Sequence, residues 1–264
     1  MPTYLISNDN FHYSNSIVGS YLIAGDRETT EVVQLTKTNS TPSFGNLTCE
    51  RVWAVGAMFG NAPMICGGAQ PGFEITSFDS CISYEKTQWS QSHYMKDKRG
   101  SPAGVQINST TFWILGGYFY NYSVDYPGIS LDSTEFIIQG QTNGLHGPKL
   151  PFGLSQACAV KLSETEIFVI GGWELQSDTL RNEVWIYDPQ NGFERNQGPS
   201  LKKRRGGHSC STMKNGEKSL IIVAGGFNAL KSVEIYDPTN KTWYSGKTNF
   251  QPQKLFNFII FKHE

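Results

Sequence analysis

The residues able to do acid–base or metal chemistry near neutral pH are five histidines: His12, His93, His146, His208 and His263. They are scattered, with no i, i+4 pair and no His-Glu-x-x-His, so their spacing assembles no metal site. His208, in Gly206-Gly-His-Ser-Cys210, is expected to be a structural histidine at the start of a strand. A serine nucleophile on a sharp strand–helix turn needs Gly-x-Ser-x-Gly, and Gly153-Leu-Ser-Gln-Ala157 lacks the last glycine. No glycine-rich loop of the phosphate- or dinucleotide-binding kind occurs. Glu164 and Glu166 fall in a turn and show no sign of a paired acid–base role. The sequence therefore offers no catalytic constellation, no metal ligand set and no cofactor site, and a non-enzymatic role is expected.

Sulfur and glycan chemistry pull in opposite directions. The five cysteines, Cys49, Cys66, Cys81, Cys158 and Cys210, are odd in number and form no Cys-x-x-Cys, so buried free thiols in a reducing compartment are expected. The first ten residues carry neither a basic nor an apolar segment, which also favours the cytoplasm. Against this stand five Asn-x-Ser/Thr sequons, at Asn39, Asn46, Asn108, Asn121 and Asn240, which make a secreted chain the alternative.

Composition narrows the partner. With 22 basic and 23 acidic residues the net charge is −1, which argues against nucleic acid as the main ligand. The longest apolar runs, such as Leu220–Ala224, are strand-sized, far below the ~20 residues of a membrane-spanning helix. Charged residues make up 17% against a usual ~25%, while glycine (27 of 264) and aromatics (13%) are abundant, so the chain folds rather than staying disordered.

The elements that must position any site repeat along the chain. A short apolar run ending in Gly-Gly occurs as Ala62-Pro-Met-Ile-Cys-Gly67-Gly68, Thr111-Phe-Trp-Ile-Leu-Gly116-Gly117, Glu166-Ile-Phe-Val-Ile-Gly171-Gly172 and Leu220-Ile-Ile-Val-Ala-Gly225-Gly226. A degenerate copy, Ser20-Tyr-Leu-Ile-Ala24-Gly25, precedes them, and the repeat length is about 50 residues. Before each Gly pair lies a segment of small and apolar residues; after it and a variable loop comes a third, such as Glu183-Val-Trp-Ile-Tyr187 or Ser232-Val-Glu-Ile-Tyr236. Two of these end in Tyr-Asp-Pro, a turn preset by proline and an Asx bond, and Trp89, Phe193 and Trp243 open a fourth segment. The runs are short, β-branched and aromatic, with no helical period. Each unit thus reads as four antiparallel strands, a to d, which must stack on neighbouring units to bury both faces.

An apolar run with Gly-Gly, then Tyr-Asp-Pro, then Trp resembles the kelch repeat of β-propellers, over roughly residues 19–262. The third unit departs most, with Phe136 for the Tyr and no Trp. The resemblance implies an all-β kelch-type propeller with five four-stranded blades, six being the alternative. Residues 1–18 form a lead-in and 19–264 the propeller. Phe256-Asn-Phe-Ile-Ile-Phe-Lys262 reads as the strand that completes the first blade and closes the ring.

Antiparallel connectivity puts the b–c and d–a loops at one end of every blade. The b–c loops contribute Phe73, Tyr118, Phe119, Tyr120, Tyr122, Trp173 and Phe227; the d–a loops contribute Arg51, Arg99, Lys202, Arg204 and Arg205. Aromatics and arginine are the residues enriched at binding hot spots. These twelve are the candidate contacts of a protein partner on a monomeric propeller acting as a scaffold or substrate-recognition module. Kelch proteins are similar in serving as ubiquitin-ligase adaptors or actin-associated proteins, although an adaptor of this length would need a separate subunit for the other function. A carbohydrate-directed propeller, a lectin or a relative of the sialic-acid mutarotases, is the alternative, and a secreted kelch protein of unknown role is a third. Copper chemistry of the galactose oxidase type would need Tyr and His ligands that cannot be placed.

Overall fold

In the computed structural model the described residues are 16–18, 21–23, 32–35, 40–44, 47–49, 51–60, 62–70, 76–120 and 128–246; side chains before residue 47 and that of Tyr120 are outside the description. All regular structure among them is β. Five four-stranded antiparallel meanders follow one another. Sheet 1 holds β1 (Ser16–Val18), β2 (Tyr21–Ile23), β3 (Val32–Leu35) and β4 (Ser40–Phe44). Sheet 2 holds β5 (Val55–Phe59) and β6 (Ala62–Cys66), a two-stranded ribbon β7 (Ala69–Gln70) with β8 (Thr76–Ser77), then β9 (Ser80–Glu85) and β10 (Gln88–Tyr94). Sheet 3 repeats that plan with β11 (Ala103–Asn108), β12 (Thr111–Leu115), ribbon β13 (Tyr118–Tyr120) and β14 (Gly128–Ser130), β15 (Thr134–Ile138) and β16 (Leu145–His146). Sheet 4 holds β17 (Cys158–Lys161), β18 (Ile167–Glu174), β19 (Thr179–Asp188) and β20 (Glu194–Gln197); sheet 5 holds β21 (Ser209–Asn215), β22 (Lys218–Ala224), β23 (Val233–Asp237) and β24 (Thr242–Gly246). The chain divides after Ser155 into two compact units, one with sheets 1–3 and one with sheets 4 and 5.

Burial follows the strand letter. The b strands are buried on both faces: Phe112, Trp113, Ile114 and Leu115 in β12, and Ile167 to Ile170 in β18, are all inside. A strand covered on both sides reads as a continuous apolar run, which is why these segments stand out in the sequence. The d strands are mostly exposed, and β20 is Glu-Arg-Asn-Gln throughout. Neighbouring sheets share cores. Phe59 and Met64 of sheet 2, with Met95 just past β10, meet Phe112, Ile114 and Ile137 of sheet 3. Phe168, Ile170 and Val184 of sheet 4 meet Ile221, Val223, Tyr236 and Trp243 of sheet 5.

The Gly pair has a positional reason. All eight glycines of the four pairs have positive φ, a region open at little cost only to glycine. At Gly116 a Cβ would also sit 2.2 Å from the Leu154 carbonyl oxygen. The Tyr-Asp-Pro turns are Asx turns as expected: Oδ1 of Asp237 accepts the Thr239 N–H at 2.8 Å, and Oδ1 of Asp188 that of Gln190 at 2.9 Å.

Two expectations are revised. Sheet 1 takes its first strand from Ser16–Val18, inside the segment read as a lead-in, paired with Tyr21–Ile23; the strand expected at 256–262 lies outside the described residues. The cysteines are not all free. Cys66 and Cys81, directly opposed on β6 and β9, are joined, and Cys158 on β17 is joined to Cys210 on β21, which ties sheet 4 to sheet 5; Cys49 is a free thiol. Strand register and sheet stacking, not sequence spacing, bring these pairs together, so no motif announced them.

Candidate functional site

Each d–a loop enters its sheet through one position that recurs as Arg51, Arg99, Leu154 and Arg205. Its carbonyl oxygen accepts the N–H of the second glycine of the preceding sheet: Gly68 to Arg99 at 2.7 Å, Gly117 to Leu154 at 2.8 Å and Gly172 to Arg205 at 2.9 Å. The arginine side chains turn into their own sheets. Nη1 of Arg99 donates to the carbonyls of Gly116 (2.7 Å) and Ser133 (2.8 Å), and Nη2 to Ser133 Oγ (2.9 Å) and Glu135 Oε1 (2.9 Å). Arg205 repeats the set with Gly225 (2.8 Å), Ser232 (3.3 Å to the carbonyl, 2.9 Å to Oγ) and Glu234 (2.7 Å). Arg51 does the same with Gly67 and Ser80, but Ile82 stands where the others have glutamate. The left-handed glycine turns the b strand out of its ladder, and a planar guanidinium fork reaches its carbonyl together with the serine carbonyl, which also accepts the N–H of that glycine at 3.1 Å.

The glutamates complete the tie. Glu135 accepts the backbone N–H of Lys96 and Asp97, and Glu234 those of Lys202 and Lys203, so each buried ion pair pins the incoming d–a loop to the start of the c strand. Burial lowers the pKa of Arg51 and Arg205, with Glu234 opposing the shift at Arg205. Two residues further on, the chain takes positive φ in every copy, at Trp53, Ser101, Gln156 and Gly207, and adjacent copies bond there: Ser101 N–H to the Trp53 carbonyl (3.0 Å) and Gly207 N–H to that of Gln156 (2.9 Å).

This frame corrects the reading of three arginines. Arg51, Arg99 and Arg205 were expected to face a partner, yet they are buried at 3, 0 and 0% exposure with their guanidinium groups spent on their own sheets. Tyr118 is also buried, its ring lying edge-on to Trp53 and so close to Gly100 that a Cβ there would meet it at 2.6 Å. Phe119 is half-buried opposite Ile129 in the β13–β14 ribbon. Tyr120 lies on β13; Phe73 and Tyr122 lie outside the described residues. The signal that was missed is the Ser-x-Glu at the head of two c strands, Ser133-Thr-Glu135 and Ser232-Val-Glu234, recurring with an upstream arginine. The variable b–c loop between them hid its periodicity.

What stays at the surface in the unit of sheets 4 and 5 is a compact group. Trp173, just past Gly172 on β18, and Phe227, just past Gly226, are both half-buried and meet edge to face, 6.1 Å between ring centroids. Gly206 and Gly207 run beside them: a Cβ on Gly206 would lie 3.4 Å from Trp173 Cβ and 3.0 Å from Leu180 Cδ2, and one on Gly207 3.5 Å from the Phe227 ring. At Gly207 the positive φ of 64° is what favours glycine. The same loop carries Lys202, Lys203 and Arg204, all with exposed side chains. The β18–β19 ribbon beside it sets one arginine against three carboxylates. Arg181 pairs with Glu174 and with Glu183, the Trp173 indole donates to Asp178 (3.1 Å), and the Ser177 hydroxyl, then Arg181, hold the Glu174 carboxyl below its ordinary range. The basic charge beside the aromatic pair is the Lys202-Lys203-Arg204 run. Under it His208 is buried and neutral, its pKa pushed down to about 3 by desolvation first and by the charge of Arg205 second.

The kelch motif family matches residues 204–249, a span that takes in sheet 5 and the end of the loop that enters it. An F-box/kelch-repeat protein of Arabidopsis thaliana is 36% identical over 90 residues. That match spans 34% of this chain and 30% of the plant protein. The solved structure of YjhT superposes with a TM-score of 0.72 over 89% of this chain and 83% of that one, at 12% identity. Repeat motif, sequence relative and blade architecture agree: the chain carries a kelch motif at residues 204–249 and has the fold of a kelch propeller.

Proposed function

We propose that this chain is a protein-interaction module that docks an extended acidic peptide segment of its partner on the loop end of sheets 4 and 5. The observation that carries the reading is the Trp173–Phe227 pair, half-exposed and set beside the exposed Lys202-Lys203-Arg204 run. Half-exposed aromatics on a rigid frame supply apolar contact area at low entropic cost, because the frame has already fixed them. The basic run steers and orients an acidic segment across that apolar anchor point. The buried Arg205–Glu234 tie holds the loop in place before binding.

The test is selection of a random displayed peptide library on the purified chain, followed by affinity measurement on two variants. The expected ligands are net acidic with an apolar residue, and both Trp173→Ala and the double change Lys202→Glu, Arg204→Glu weaken them at least tenfold. Ligands indifferent to both variants would place the docking surface elsewhere. No peptide enrichment combined with hits on a glycan array would favour the carbohydrate-directed reading instead.

A further inference from the structure

We infer that Asn108 and Asn240 are N-glycan acceptors and that the chain matures in an oxidising secretory lumen, where the Cys158–Cys210 bond forms between sheets 4 and 5. Three independent observations converge. Both asparagines are exposed and head Asn-x-Thr sequons, Asn108-Ser-Thr110 and Asn240-Lys-Thr242. Each sits in a tight turn: Asn108 between the a and b strands of sheet 3, Asn240 between the c and d strands of sheet 5. Four of the five cysteines are in disulfides, which persist in oxidising compartments and are reduced in the cytosol.

The local chemistry suits the transfer. At Asn108, Oδ1 accepts both the backbone N–H (2.9 Å) and the hydroxyl (3.0 Å) of Thr110, so the carbonyl side of the amide is engaged by the sequon threonine itself. At Asn240, Nδ2 donates to Asp237 Oδ2 (3.1 Å) and to the Tyr244 hydroxyl (3.2 Å). A glycan replaces one amide hydrogen and leaves the other for one of these acceptors, so Asn108 is the readier site. In the transfer, Nδ2 forms a bond to the anomeric carbon of a lipid-linked oligosaccharide. The bond from that carbon to the lipid diphosphate breaks, the diphosphate leaves with the electron pair, and Nδ2 gives up a proton. For each disulfide, two thiols lose two protons and pass two electrons to a disulfide oxidant, which leaves as a dithiol.

Placement gives the modification a consequence. The a–b and c–d turns are at the ends of their sheets opposite the b–c and d–a loops. A glycan on Asn240 therefore projects from the far end of sheet 5 and leaves Trp173 and Phe227 open.

The test begins with the native protein from its source tissue, denatured in iodoacetamide without reductant. It is then treated with peptide N-glycosidase in 18O water and mapped by mass spectrometry. Asn108 and Asn240 are expected as 18O-labelled aspartate, Cys158 and Cys210 as one linked peptide pair, and alkylation at Cys49 alone. Unconverted asparagine at both sites, or alkylated Cys158 and Cys210, overturns the inference. A second arm expresses the full chain through a secretory host with Thr110→Ala or Thr242→Ala, changes that break a sequon at an exposed turn. Each is expected to lower the intact mass by one glycan, and an unchanged mass removes that site.

Discussion

Replacing Arg205 by methionine isolates what the buried arginine does. The guanidinium makes four hydrogen bonds, to the Gly225 carbonyl, the Ser232 carbonyl and hydroxyl, and Glu234 at 2.7 Å, with both ionic side chains at 0–2% exposure. Methionine matches the length but leaves Glu234 charged and uncompensated and takes a donor from the Gly225 carbonyl, while the Ser232 carbonyl keeps the Gly225 N–H. Breaking a buried pair from one side costs about 3–5 kcal/mol. At roughly 3 °C per kcal/mol this lowers the melting temperature by about 10 °C. Sheet 2 supplies an internal control, because Arg51 holds Gly67 and Ser80 with Ile82 in the glutamate position. Glu234→Ile makes sheet 5 resemble sheet 2 and keeps the three neutral contacts of Arg205. It leaves the buried guanidinium without its carboxylate and frees the Lys202 and Lys203 N–H groups, so it too costs about 3–5 kcal/mol. Urea unfolding monitored by tryptophan fluorescence measures both. A loss below about 1 kcal/mol for Arg205→Met would refute the account of the arginine as the anchor of the glycine turn.

The Cys158–Cys210 bond closes a separation of 52 residues, for which loop-closure entropy gives about 4 kcal/mol. A Cys158→Ala, Cys210→Ala variant is expected to lose up to that amount in denaturant unfolding under non-reducing conditions, and an unchanged midpoint would show the bond idle. His208 is neutral when folded, with its pKa lowered from 6.5 to about 3, so the unfolded chain binds the extra proton. Stability is full above pH 6.5 and falls as the pH drops toward 3, by about 3 kcal/mol at pH 4. His208→Gln should flatten that slope, and an NMR titration of the wild-type imidazole with a midpoint between pH 5 and 7 would contradict the burial argument. Gly116→Ala places a Cβ 2.2 Å from the Leu154 carbonyl at positive φ and should cost well over 1 kcal/mol. Soluble expression with a wild-type melting temperature would show that the turn relaxes.

The sequence by itself determined the repeating blade. Gly-Gly at about 50-residue intervals, the apolar b runs and the Tyr-Asp-Pro turns are local signals, because positive φ, two-sided burial and an Asx bond each demand a residue type at a fixed place in one strand or turn. It also placed Trp173, Phe227, Lys202 and Arg204 on the loop end, since antiparallel connectivity alone assigns loops to ends. Only the tertiary structure decided which side chains there are available. Arg204 and Arg205 are neighbours of the same chemistry, yet one is exposed and the other wholly enclosed. The difference arises where the loop crosses the Gly225 carbonyl, Ser232 and the carboxylate of Glu234, partners 20 to 29 residues away. The cysteine pairs were hidden for the same reason. Cys66 and Cys81 meet through strand register, and Cys158 and Cys210 through the stacking of two sheets. A contact set by stacking depends on where whole sheets come to rest, which no local pattern encodes.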